Sequence, residues 1–289
     1  MRLGLSIDPD QGLGDSDESR LVSLAADLGY ESAWAPSRAD SAAFDRCVRW
    51  HKASGLPVGI CAVPASGQSA EFCADHARRV WEATGGRFTL VVGSGGLLPA
   101  ARSMGAYLGD LRRLLPAELP VYLAALGPLM LDVAGESADG VALNWCTADQ
   151  VAWSRMRLAA AARSAGRSVP PVVEYIRTAV DPDAELARRT VGVAALRYAL
   201  GPPAYRHHFE RMGFAEDVRH LEESAEASGA NPLSAIGAGG APGQTRGQFE
   251  HLAKGVDLPI VRILVVKPGD FESARRALEE CRPNLLRPA

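Results

Sequence analysis

The stretch Leu119-Pro-Val-Tyr-Leu-Ala-Ala-Leu-Gly-Pro-Leu-Met-Leu-Asp-Val-Ala-Gly-Glu-Ser-Ala-Asp-Gly-Val-Ala-Leu-Asn-Trp145 reads as strand, turn, helix and strand in succession. Val121, Tyr122 and Leu123 favour extended backbone. Gly127 and Pro128 turn the chain and place proline at a helix start, and Asp139-Gly140 releases it into a second apolar run, Val141 to Leu143. Two strands joined through one helix lie parallel, because a tight hairpin is the antiparallel alternative.

The same alternation extends in both directions. Towards the N-terminus the pattern predicts strands over Leu3 to Ile7, Ser32 to Ala35, Val58 to Val63 and Arg87 to Val92. The helices between them include one opened by Ser16, with Asp17 and Glu18 in its first turn, and one from Ser69 to Trp81 stopped by Gly85-Gly86. Beyond Trp145 it predicts a helix over Ala148 to Ala165 and a seventh strand over Val172 to Ala179. The rhythm then lapses into helical sequence from Pro182 to Gly229, broken at Gly201-Pro202-Pro203, and a glycine loop from Gly237 to Gly243. It resumes with an eighth strand over Ile260 to Val266 and a closing helix from Phe271 to Cys281. Eight strands interleaved with helices predict an α/β fold, a closed (β/α)8 barrel, with a helical insertion between strands seven and eight.

A chain of 289 residues, 47% hydrophobic and 22% charged, suits one barrel domain spanning residues 1–289, since such barrels run to about 250 residues. A net charge of −3 offers no footprint for nucleic acid or an anionic membrane. No apolar run approaches the roughly 18 residues of a membrane span, so a cytoplasmic protein is expected. Five scattered cysteines without a Cys-x-x-Cys pair point to buried thiols, neither a disulfide framework nor a zinc site. The G-x-S-x-G, H-E-x-x-H and P-loop patterns are absent, which lowers hydrolase and kinase readings.

Barrel active sites form at the carboxyl ends of the strands. The positions there are Asp8, Ser37 with Arg38, Val63-Pro64, Gly93 to Gly96, Leu126-Gly127, Asn144-Trp145, Arg177 and Lys267. Gly93, Ser94, Gly95 and Gly96 present backbone N–H groups free of side-chain obstruction, which suits a phosphate or a flat ring; a plain βα turn is the alternative. Ala125, Leu126 and Gly127 precede a helix N-terminus, which favours an anion. Glu174 and Arg177 stand three apart on a strand, so only one points into the barrel. His207 and His208 project about 100° apart on a helix and make no bidentate metal site. No metal-ligand set is expected. Trp34 reads as core, while Trp145 is open between core and a wall that stacks on a ring.

The wording of these segments resembles the luciferase-like monooxygenase superfamily. The likeness rests on the quoted stretch, on Gly29-Tyr-Glu-Ser-Ala-Trp34, on Gly85-Gly-Arg-Phe88 with Val91-Val-Gly-Ser-Gly95, and on Tyr205-Arg-His-His-Phe-Glu-Arg-Met-Gly-Phe214. It implies a (β/α)8 barrel, an F420 or FMN cofactor, a small-molecule substrate and a homodimer. It also implies that the loops at Gly93 to Gly96 and Ala125 to Gly127 contact the cofactor. A non-proline cis bond is implied at Ala62-Val63, under the deazaflavin ring. Two departures stand out. Ala35-Pro-Ser-Arg38 occupies the place where many relatives carry an acid, often followed by His, and the segment between Gly96 and Pro120 is short. Proton delivery is left to Ser37, Arg38, Glu174 or His207. The expected activity is F420-dependent hydride transfer; the alternatives are an FMN-dependent monooxygenase and a non-catalytic paralogue that binds a flavin-like ligand or nothing.

Overall fold

The computed structural model describes residues 1–38, 40–223 and 231–285. The chain begins β1 (Gly4–Ile7), α1 (Asp15–Asp27), β2 (Ser32–Pro36), α2 (Ala42–Ser54), β3 (Val58–Pro64), α3 (Ala70–Ala83), β4 (Phe88–Gly93) and α4 (Ala100–Leu114). It continues β5 (Val121–Ala124), α5 (Pro128–Ser137), β6 (Gly140–Asn144), α6 (Ala148–Ser164) and β7 (Val172–Val180). Then come α7 (Ala184–Ala199), α8 (Pro203–Arg211), α9 (Ala215–Glu223), β8 (Ala238–Gly240), α10 (Thr245–Leu252), β9 (Leu258–Ile263) and α11 (Phe271–Glu280).

Every pairing among these strands is parallel. β1 to β7 follow one another, β7 also pairs β9, and β9 pairs β1, which closes a ring of eight. The expected barrel is present, with α7 to α10 as the insertion before its last strand and the single helix α4 in the short segment after β4. The ninth strand corrects the glycine loop expected over Gly237 to Gly243. Thr178, Ala179 and Val180 of β7 pair with Ala238, Gly239 and Gly240 of β8, outside the ring. A Cβ on Gly239 would stand 3.0 Å from Arg188 Cα, so the bare backbone lets β8 lie against α7. Three small residues carry no strand periodicity, which hid β8 in the sequence. The expected helical run is also split again, at Gly213, and residues 224–229 of it lie outside the described residues.

The start of α1 differs too. Gly14 is the N-cap, in extended conformation, and Ser16 makes no cap. Asp15, Asp17 and Glu18 in the first turn stabilise that helix end through its dipole instead.

The barrel interior is packed by pairing bulky residues with bare ones. The Trp34 indole occupies the space where side chains of its strand neighbours would project: a Cβ on Gly59 would stand 2.2 Å from Trp34 Cε3, and one on Gly4 2.9 Å from Cδ1. Tyr122 stands likewise over Gly140, whose Cβ would meet the phenol ring at 2.4 Å. Trp34 meets Tyr175 edge-on, with ring centroids 6.2 Å apart, a favourable arrangement of ring quadrupoles. Trp34 is therefore core, as expected. A second apolar cluster, containing Trp145, Val191, Ala195, Phe209 and Leu264, ties α7 and α8 to the strand ends. Among the described residues no helix is long and apolar enough to cross a membrane.

Candidate active site

At the carboxyl end of the ring, alternation along β7 turns Val173, Tyr175 and Arg177 inward and Glu174 outward. Val173 and Tyr175 accordingly belong to the interior cluster with Trp34. Arg177 is 1% exposed and is held on all sides. Its Nη1 donates to Asn144 Oδ1, and its Nη2 donates to the Tyr198 hydroxyl at 3.0 Å and pairs with Asp8 Oδ1 at 3.2 Å. The guanidinium lies 4.4 Å from the Trp145 ring centroid and 5.0 Å from that of Tyr198, within cation–π range. Asp8 also binds Arg262, the β9 residue paired with Arg177 in register. Asn144 Nδ2 donates to the Tyr205 hydroxyl at 2.6 Å. A polar chain Tyr205–Asn144–Arg177–Asp8–Arg262 thus crosses the mouth, with Tyr198 branching from Arg177, and the insertion supplies both phenols.

Tyr198 and Tyr205 both accept through their oxygens, which leaves both O–H groups free to donate. Burial pushes the Tyr205 phenol up, so it keeps its proton. Trp145 takes a positive φ of 57° and is buried against Arg177. Its Nε1, like Arg177 Nε, is buried without a hydrogen-bond partner among the described residues. Sequence reasoning placed Asp8, Asn144 and Arg177 on the rim but gave no role to Arg262, Tyr198 or Tyr205. The available signal was a lone arginine inside each of two apolar strands, Val172 to Val180 and Leu258 to Val266.

The cofactor residues inferred from sequence fall at the ends of three adjacent strands, β3, β4 and β5. Ala62, Gly93 and Ala124 come together there: a Cβ on Gly93 would lie 3.4 Å from Ala124 Cβ and 3.5 Å from Ala62 Cβ. They form a shelf almost free of side chains, and a flat ring fits that shape. Val63 and Ala125 instead point into the outer core, again by strand alternation, so only their backbones face the rim. Ala125 N–H is already spent on Ala142 O at 3.1 Å. The non-proline cis bond is Cys61–Ala62, one residue before the expected Ala62-Val63. Gly95 and Gly96 have φ of +60° and +102°. A Cβ on Gly95 would also strike Pro64 Cβ at 2.5 Å, so that glycine serves the turn itself. Ser94 lies in the same turn, its carbonyl accepting from Leu97 N at 3.1 Å. Gly127 caps α5, and Arg211 of α8 donates to Leu126 O at 3.0 Å, which places a cation beside that helix start.

The four residues considered for proton delivery are not united. Arg38 is exposed and bound to Asp10, with Nη2 at 2.6 Å from Oδ2, and Ser37 Oγ donates to Arg38 O at 3.0 Å. Both line a small cavity of about 160 Å³ beside α2. His207 is exposed on α8, while its neighbour His208 is buried. Glu174 is buried outside the ring, where its Oε1 accepts from Cys146 N at 2.8 Å.

His208, Cys146 and Glu174 form a neutral cluster beneath α8. His208 Nε2 lies 2.8 Å from Trp145 O and 3.7 Å from Cys146 Sγ. Burial lowers the imidazole to about 4 and raises the Glu174 carboxyl to about 8, and it keeps the Cys146 thiol protonated. A buried imidazole with a depressed value stabilises the fold progressively as pH rises from about 4 to its ordinary 6.5. A carboxyl with a raised value loses stability between its ordinary 4.5 and about 8. The two oppose each other up to pH 6.5, and Glu174 acts alone above it. Unfolding free energy is therefore expected to fall by about 2 kcal/mol from pH 6.5 to 8, and Glu174→Gln should flatten that slope. Urea titrations at the two pH values measure it, and an unchanged slope in the variant would contradict the assignment.

Residues 107–238 match the family described as luciferase-like monooxygenase. A 5,10-methylenetetrahydromethanopterin reductase of Methanopyrus kandleri is 31% identical over 115 residues, which are 39% of this chain and 32% of that protein. The matched stretch thus spans about a third of the curated relative's length. The structure of coenzyme F420-dependent tetrahydromethanopterin reductase from Methanopyrus kandleri superposes with a TM-score of 0.75 at 17% identity, over 98% of this chain and 99% of that one. The oxygenating constituent of 3,6-diketocamphane monooxygenase from Pseudomonas putida, in complex with FMN, superposes at 0.65 and 13%, over 100% and 99%. These likenesses establish that the chain shares their barrel.

Proposed function

We infer that the protein is an oxidoreductase that holds F420 on the Ala62–Gly93–Ala124 shelf and serves hydride transfer to or from a small organic substrate. The observation that carries this reading is the shelf: three small residues on adjacent strand ends, where most barrel positions carry bulk. The relationship to the F420-dependent reductase supports the deazaflavin over FMN, and the FMN complex of the diketocamphane enzyme keeps the flavin monooxygenase as second reading. Bound there, the deazaflavin supplies two-electron hydride chemistry.

The chain's own residues do the rest. The shelf sets the plane of the ring. The α5 N-terminus and Arg211 suit the cofactor phosphate. The insertion covers the mouth with Tyr198 and Tyr205, which limits water above the ring. Their free O–H groups donate hydrogen bonds to a carbonyl oxygen of the substrate and stand in place of Ser37, Arg38, Glu174 and His207, the residues first considered for proton delivery. Asp8, at the end of β1, is the carboxylate that the mouth contains.

Gly93→Val tests the shelf, because the position has room for a Cβ in ordinary contact but the two methyls beyond it would occupy the ring's place. F420 affinity, followed by tryptophan quenching, is expected to drop about tenfold or more with the melting curve little changed. Equal affinity in the variant would remove the shelf from the site.

A further inference from the structure

A groove of about 560 Å³ opens at the rim on the opposite side from the turn at Gly93 to Gly96. One wall is a stripe of α7 that includes Arg189, Val193, Ala194 and Arg197; the other is the rim at β1 and β9, with Asp8 and Leu264 on it. The acids in this groove are already engaged. Asp8 is held by Arg177 and Arg262, and Asp10 by Arg38. The one acid of α7, Glu185, pairs with Arg188 at 3.1 Å. Arg189 and Arg197 are exposed and have no hydrogen-bond or ion-pair partner among the described residues. Arg197 lies in the last turn of α7, where a cation also meets the helix dipole; Arg189, in mid-helix, has no such role.

We propose that this groove binds an elongated organic anion carrying a carboxylate or phosphate at each end. Eight residues of helix separate the two guanidinium-bearing positions by about 12 Å, and Val193 and Ala194 form an apolar floor between them. The sequence of surfaces is cation, hydrocarbon, cation, and the complementary ligand is acid, hydrocarbon, acid. Guanidinium groups bind carboxylate and phosphate alike through paired N–H donors. The groove reaches Asp8 and Tyr198 at the mouth. Its occupant is therefore the substrate of the redox reaction, an assignment that rests on the function proposed above; the binding itself does not.

The test is calorimetric titration of the full chain with decanedioate, with the corresponding bisphosphate, and with decanediol as the uncharged control. One of the two dianions is expected to bind and the diol not to; which dianion binds tells the carboxylate source from the phosphate one. Arg189→Gln/Arg197→Gln should weaken that binding about tenfold or more, and Val193→Trp should do so by filling the floor with charge unchanged. Circular dichroism of the variants checks the fold. Failure of both dianions to bind, equal binding of the diol, or unchanged affinity in the double variant would overturn the proposal. F420 titration of the unsubstituted chain separates the two readings: a dianion that binds where F420 does not leaves the groove standing and removes only its role as substrate site.

Discussion

Replacing Asp8 by alanine is expected to cost about 3–5 kcal/mol of stability, because it leaves two guanidinium groups facing each other in a buried site without their shared carboxylate. The Arg177 and Arg262 side chains are 1% and 6% exposed, and Asp8 is 11% exposed, so water cannot take over. Burial works against the Arg262 cation, and the charge and hydrogen bond of Asp8 outweigh it, holding the group above its ordinary value. Asp8→Asn keeps the shape and removes the charge, so it should retain most of the loss if charge is the cause. Urea unfolding of both variants at pH 7 measures this. A loss under about 1 kcal/mol for alanine, the range of an ordinary surface change, would show that the two arginines are satisfied by Asn144, Tyr198 and the aromatic rings alone.

Gly59→Val should be comparably severe for a different reason. A Cβ at that position would sit 2.2 Å from Trp34 Cε3, well inside van der Waals contact, and the indole is locked by its bond to Ser32 Oγ at 2.9 Å and by Tyr175. Overpacking of this degree exceeds the usual 1–3 kcal/mol or so, and the variant is expected in the insoluble fraction or with a melting transition far below that of the parent. Trp34→Ala on its own should cost about 3–5 kcal/mol through the cavity it leaves. In combination the two should be less damaging than their sum, since the valine enters the space the indole vacates. Strict additivity would mean that Gly59 and Trp34 do not share that space.

The barrel was legible in the sequence because each βα unit announces itself locally. The run from Leu119 to Trp145 contains its own strand, proline-started helix and strand, and β5, α5 and β6 fall where it places them. What was not legible depends on distance in sequence. β8 exists because β7 offers an edge and α7 accepts bare glycine backbone, and neither is written in Ala238 to Gly240. The small-residue shelf was half visible, since Gly93 and Ala62 stood out but Ala124 gained its meaning only from closure of the ring. The polar chain at the mouth joins residues 8, 144, 177, 205 and 262, and no local pattern connects them. Glu174 and His207 attracted notice as titratable groups, yet strand alternation turned one out of the barrel and helix geometry turned the other to solvent. His208, one residue on, is the imidazole that is buried.

The most direct test of the central claim is a pair of titrations of the purified chain, one with F420 and one with FMN, followed by quenching of tryptophan fluorescence at matched salt. Micromolar binding of F420 and weaker binding of FMN are expected. Preference for FMN would move the protein to the flavin monooxygenase reading, and binding of neither would contradict the cofactor shelf altogether.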